Sequence, residues 1–265
     1  MNKSYQDKNW LYQQYWGEEL STKQIAKELN VDHKTILYWM IKFNILRRTK
    51  SEAAHLIQAN HCELSNEAIE WIEGELLGDG SLQSQSKYSA RFGYTSKYWE
   101  YINYVSNTLE SFGIKRTGKI RKSWKGQTNK NGEWINRPIT LFPKSFHYES
   151  LFYEELKPIR DKWYPDGKKI VPKDIKLTSL TCRQWLIGDG CLNHFRNGNP
   201  RIKLSTQGFL TEDVKWLTEQ LNNLGFKSTR QPCRNTIHIS TYSTPDFLNY
   251  IGKCPIQCYQ YKWRL

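Results

Sequence analysis

The chain has 265 residues, 38% of them apolar, with 11 Trp, 16 Tyr and 10 Phe, and a formal net charge of +13. That apolar bulk is enough to pack one large domain, or a medium domain with a small one attached. The charge favours a polyanionic partner. No apolar run approaches the ~20 residues of a membrane span and no signal-peptide core follows Met1, which argues against a membrane role. A soluble intracellular protein, in the cytoplasm or nucleoid, is expected, with an organelle-encoded origin left open. Six scattered cysteines lack CxxC pairing and a nearby histidine cluster, so reduced thiols are expected rather than a zinc site.

Residues 1–50 read as a separate all-α domain. In "LSTKQIAKELNVDHKTILYWM", Ser21 and Thr22 are cap candidates, and Ile25, Ala26 and Leu29 form one apolar face. Asn30 suits a left-handed turn, Asp32 caps a second helix, and Ile36 starts its apolar stripe. Two short helices joined this way resemble a DNA-binding helix-turn-helix. The second helix would present His33, Lys34, Thr35, Tyr38 and Lys42, with Arg47 and Arg48 of the trailing "RRTK" adding phosphate contacts. Residues 51–66 read as a linker.

From residue 67 the chain repeats itself. Asp79 to Arg91 is 12 residues, and so is Asp189 to Arg201. The alternating stretches "ARFGYTSK" and "PRIKLSTQ" match one another as strands. Amphipathic helices ending at Gly113 and Gly225 follow, then basic strand-like segments, then helical segments expected near 144–157 and 244–252. Two repeats result, 67–173 and 174–265. Each opens on an apolar helical run that stops at an acid between glycines, "ELLGDGSL" and "WLIGDGCL". Gly74 and Gly78 share one helical face, and small residues at that spacing let helix backbones approach closely. Crossing of the two helices would bring Asp79 and Asp189 together. Adjacent carboxylates must share a proton or bind cations, and hard oxygen ligands suit Mg²⁺.

At these residues the chain resembles the LAGLIDADG homing endonucleases in their single-chain, two-motif form. The motifs are "IEGELLGDG" at 72–80 and "CRQWLIGDG" at 182–190, supported by "WYPDGKKIVPKDI" at 163–175, "STQGF" at 205–209 and "YKW" near the end. Gln184 stands where the family has a small residue, and Trp185 follows it.

The resemblance implies an α+β fold. Its core is a duplicated, pseudo-twofold αββαββα unit with antiparallel saddle sheets over DNA, here preceded by the small helix-turn-helix domain. It also implies a monomer that cuts both strands of a long specific double-stranded DNA site, with Mg²⁺ (Mn²⁺ or Ca²⁺ as in vitro substitutes) held by Asp79 and Asp189 beside Gly78 and Gly188. Lys169, Lys262, Gln207 and its repeat partner Lys97 are the implied supporting catalytic residues. Strand alternation selects Arg91, Gly93 and Thr95, and Arg201, Lys203 and Ser205, as DNA-facing. Arg116, Lys119, Arg121 and Lys122, and in the second half Arg230 and Arg234, are expected at phosphates. A DNA-binding regulator that has lost cleavage, or an RNA-splicing maturase, would use the same scaffold.

Overall fold

Helix starts fall where short polar side chains can satisfy the first free N–H groups. Ser21 accepts from Gln24 N while Gln24 answers Ser21 N, Asp32 accepts from Lys34 N, and Ser65 accepts from Ala68 N. The computed structural model describes residues 3–50, 52–53, 56, 60–123, 127–128, 134–136, 144–194 and 200–265. The chain divides into two compact units, Met1–Ala59 and Asn60–Leu265.

The first unit contains α1 (Lys8–Tyr12, continued by a wider turn over Gln13–Gly17), α2 (Thr22–Glu28) and α3 (His33–Lys42). Asn30 turns the chain between α2 and α3 with φ 52°. Leu11, Tyr15, Ile25, Ala26, Ile36, Met40 and Ile45 are its core. Helix α1, which carries Leu11 into that core ahead of Tyr15, is an addition to the expected helix pair.

Arg48 corrects an expectation. The basic run predicts a phosphate contact, but Arg48 Nη1 donates to the Leu20 carbonyl (3.2 Å) and its guanidinium lies over the Tyr15 ring (4.1 Å to the centroid). Arg48→Ala is therefore expected to cost about 1–2 kcal/mol of stability in this unit. It should leave the salt dependence of any DNA binding unchanged, which a thermal melt and a salt titration would check.

The second unit contains α4 (Asn66–Leu77), β1 (Ser81–Gln83), β2 (Arg91–Ser96), α5 (Trp99–Ser111), β3 (Arg121–Ser123), β4 (Gln127–Thr128), β5 (Trp134–Asn136), β6 (Ser145–Glu149) and α6 (Leu156–Trp163). Its second half contains α7 (Ser179–Asp189), β7 (Gly190–His194), β8 (Pro200–Leu204), α8 (Thr211–Asn223), β9 (Ser228–Gln231), β10 (Thr236–Ile239) and α9 (Thr244–Ile251), followed by a 3-10 turn over Gln257–Trp263. The sheets run β1-β2-β6-β3 and β7-β8-β10-β9, all pairs antiparallel, so the two halves share one topology. A separate hairpin, β4-β5, is inserted in the first half. Phe92 and Tyr94 in one sheet, Ile202 and Leu204 in the other, and Leu76, Trp185 and Leu186 of the motif helices belong to one apolar core. All six cysteines are free thiols.

The helix expected over 144–157 is in fact strand β6 followed by α6. Phe146 and Tyr148 alternate with Ser145, His147 and Glu149, and β6 is held on both sides by β2 and β3. Arg116 forms an isolated bridge to Ser150, so of the basic run 114–124 only Arg121–Ser123 is a strand among the described residues.

Candidate active site

Helices α4 and α7 cross through glycine. A Cβ on Gly78 would lie 3.0 Å from Gly188 Cα, and one on Gly188 would lie 3.0 Å from Gly78 Cα and 3.2 Å from Asp79 N. A Cβ on Gly74 would lie 2.7 Å from Thr181 O and 2.9 Å from Gln184 Cβ. Gln184, the large residue at a small-residue position, therefore meets the glycine of the other helix. Its side chain turns sideways, and its neighbours assign the amide: Trp71 Nε1 (2.8 Å) and Tyr104 Oη (3.1 Å) donate to its oxygen, and its nitrogen donates to Glu75 Oε1 (3.2 Å).

The crossing leaves Asp79 and Asp189 side by side at the C-terminal ends of the helices. Asp79 is exposed and Asp189 half-buried. Desolvation by the surrounding protein raises the Asp79 carboxyl above its ordinary range even though the residue reaches solvent, and Lys262 and Lys169 oppose the shift. Burial and then the charge of Asp79 push Asp189 up to about 6. Among the described residues neither carboxylate has an ion-pair partner, and no group of three His, Cys, Asp or Glu is placed to hold a metal.

The two lysines sit symmetrically. Lys169 Nζ donates to the carbonyls of Gly78 (3.1 Å) and Gly80 (2.8 Å) at the end of α4. Lys262 Nζ donates to Leu186 (3.1 Å), Ile187 (2.5 Å) and Gly188 (3.4 Å) at the end of α7. Each ammonium binds carbonyls at the end of a helix, at the negative pole of its dipole. Burial lowers both lysines to about 8 against the pull of the two aspartates. The Gly78 and Gly188 carbonyls, expected beside a metal, thus each accept from a lysine, with a second lone pair remaining.

Glu75, missed in the sequence, is fully buried one turn before Asp79. Tyr101 Oη donates to its Oε1, and Oε2 has no partner among the described residues. Burial pushes this carboxyl up to about 8, so it carries a proton at neutral pH.

Gln207 and Lys97 are exposed beyond the ends of β8 and β2, Lys97 over the Tyr98 ring (4.8 Å). Neither is hydrogen-bonded to the aspartates among the described residues.

Asp79, Gln83, Gly93, Thr95, His147 and Glu149 line one cleft, which makes the open face of the first sheet continuous with the acid. Arg91 and Arg121 both bind Glu149 there (3.0 and 2.6 Å). Lys122 points the other way. It pairs in register with Phe146 and lies over Trp99 of α5, which corrects its assignment to the DNA face.

In the second sheet, Arg201 and Lys203 alternate with buried Ile202 and Leu204, and Ser205 N donates to the Asp189 carbonyl (2.8 Å). Arg230 pairs with buried Ile237 and bonds Asn235 Oδ1 (2.8 Å), so it too faces the helix layer rather than the open side. Arg116, Lys119 and Arg234 are exposed. On α3, Lys34, Tyr38 and Lys42 are exposed, His33 and Thr35 are half-buried, and Arg47 lies exposed just beyond the helix. Ile41, 71% exposed, joins this outer face unforeseen.

A duplicated αββαββα unit with two acids meeting at a glycine-packed helix pair defines a two-motif class. The model of the LAGLIDADG DNA endonuclease family matches residues 69–247, and the chain belongs to that family. The solved structure of the homing endonuclease I-WcaI bound to its DNA recognition sequence shares the fold. Its TM-score is 0.60 at 18% identity, over 83% of this chain and 95% of that one. The uncharacterised protein MJ1098 of Methanocaldococcus jannaschii is 26% identical over 214 residues, 81% of this chain and 77% of that protein. The cytochrome b mRNA maturase bI2 of Debaryomyces hansenii is 25% identical over 235 residues, 80% of this chain and 79% of that protein. No helix among the described residues is long and apolar enough to cross a membrane.

Proposed function

We propose that the chain is a site-specific endonuclease of double-stranded DNA, acting as a monomer and using a divalent cation held by Asp79 and Asp189. One observation carries the reading. Two like charges are held together by packing that admits no side chain between the helices, and among the described residues no protein cation pairs with either. Two acids are too few to enclose an ion, so the donor set fits Mg²⁺, with Mn²⁺ or Ca²⁺ as substitutes, whose remaining ligands come from water and substrate phosphate. Such an ion would stabilise negative charge on the leaving oxygen. Asp79 and Asp189 would be its protein ligands. Lys169 and Lys262, anchored on the helix-end carbonyls, counter phosphate charge through space; Lys169 Nζ, which spends two of its three N–H groups on carbonyls, can at a pKa near 8 pass a proton close to neutral pH, whereas Lys262 Nζ spends all three. Gln207 and Lys97 remain in the reading as polar groups at matching strand ends.

The open faces bearing Arg91 and Thr95, and Arg201 and Lys203, would lie on the duplex. The helix-turn-helix, through Lys34, Tyr38 and Lys42, would lengthen the bound site. A second reading, assistance of RNA splicing, is favoured by the relative named as a maturase. A regulator that only binds would have little use for two uncompensated acids.

The test is incubation with duplex DNA carrying the vacant insertion locus of the chain's own gene, in Mg²⁺ and in EDTA. Metal-dependent cutting that is lost in Asp79→Asn, with duplex binding retained, is the expected result. Binding without cutting in any divalent metal, or unchanged cutting by Asp79→Asn, would overturn it.

A further inference from the structure

The two open faces carry a matching pair of residues, an amide and an arginine, in the same register. Gln83 stands four residues after Asp79 and pairs with Arg91, and Asn193 stands four residues after Asp189 and pairs with Arg201. Two residues further along each strand, on its other neighbour, Gly93 faces Glu149 and Lys203 faces His238.

In the first half the arginine is held rigidly. Arg91 Nε (3.3 Å) and Nη2 (3.0 Å) donate to Gln83 Oε1, Nη1 donates to Glu149 Oε2 (3.0 Å), and the guanidinium lies 5.2 Å from the Phe152 ring centroid. Three of the five guanidinium N–H groups are thereby used, which leaves two on a side chain 20% exposed. Two N–H groups on a fixed plane match the O6 and N7 acceptors that guanine shows in the major groove, a match no other base offers.

We propose that Arg91 and Arg201 are a matched pair of guanine readers, one for each half of the target. The inference rests on the endonuclease reading and adds the content of the site. The pseudo-twofold places the two guanines on opposite strands. Glu149 fixes Arg91, whereas His238 replaces it in the second half. His238 is kept below the usual histidine range by burial and by Arg201, Lys203 and Arg234.

The test selects bound duplexes from a randomised pool with the full-length chain in EDTA, so that binding alone is read. The wild-type protein is expected to enrich two symmetry-related G·C pairs. Arg91→Lys keeps the charge but loses the fork. It should lower the guanine preference about tenfold in one half-site only, with Arg201→Lys doing so in the other. Glu149→Gln, in which Arg91 is intact but less firmly held, should weaken the first preference at an unchanged melting temperature. Retention of the first guanine by Arg91→Lys, or enrichment without a symmetric pair, overturns the proposal. If the enriched duplexes are nevertheless cut in Mg²⁺, the endonuclease reading stands alone. Enrichment of no duplex at all removes both.

Discussion

Asp189→Asn is expected to make the metal-free protein more stable while severely impairing the proposed DNA cleavage. The Asp189 carboxyl stands at about 6, above the ordinary value of 3.8, because it is buried and faces Asp79. An acid raised in this way binds protons more tightly in the folded chain than in the unfolded one. Stability therefore falls as pH rises from about 4 through 6 and stays low above that. Asparagine removes the charge, so the gain at pH 7–8 is roughly 2–3 kcal/mol, or about 5–10 °C in melting temperature, and it vanishes near pH 4. The same change removes one of the two proposed ligands, and cutting should fall on the order of a thousandfold. Melts in EDTA across pH, beside a cleavage assay in Mg²⁺, read both effects. A variant less stable than wild type at pH 8 would mean that the two acids do not repel one another.

The second large effect is expected from Gly74→Ala. Alanine is the better helix former by about 1 kcal/mol, yet the new methyl would sit 2.7 Å from Thr181 O and 3.0 Å from Thr181 Cα. Both are backbone atoms of the facing helix, so relief comes only by parting α4 from α7. Overpacking of this kind costs about 3 kcal/mol. A shift of about 1 Å between the helices also moves Asp79 relative to Asp189, with a rate loss of about a hundredfold in any cleavage that needs both. Thermal melts and single-turnover kinetics on the same preparation test the two parts. A wild-type melt would show that the helix crossing is not tight at this point.

Much of this is legible because the chain says it twice. The repeated GDG ends, the equal 12-residue offsets to Arg91 and Arg201, and the glycines closing the helices at 113 and 225 mark elements without reference to tertiary contacts. Gly113 and Gly225 do adopt positive φ, 80° and 90°. Lys169 and Lys262 emerge only from the family resemblance, since a lysine that caps a distant helix looks like any surface lysine.

Other features depend on register, which no short window contains. Lys122 and Arg230 each lie one residue from the open face, and one residue is the whole difference between the two sides of a strand. Strand β6 does show its aromatic alternation, but over so few residues that the helical pattern after it masks the signal. Arg48 reads as a phosphate contact because two adjacent arginines and a lysine look like a basic tail. The aromatic rings that claim its guanidinium, those of Tyr15 and Trp16, lie far upstream in the chain. Glu75 gives the least warning, because the groups that meet this buried acid, Tyr101 and Gln184, stand on other helices.

Gly74 and Gln184 occupy the same motif position in the two halves, and the fit between them works only because they differ. Two glycines there would leave Glu75 without its amide donor, and two glutamines would collide. The pseudo-symmetric position is a hole on one side and a knob on the other. At this contact the two halves are complementary rather than interchangeable, so a swap of either half for a second copy of the other would undo the fit.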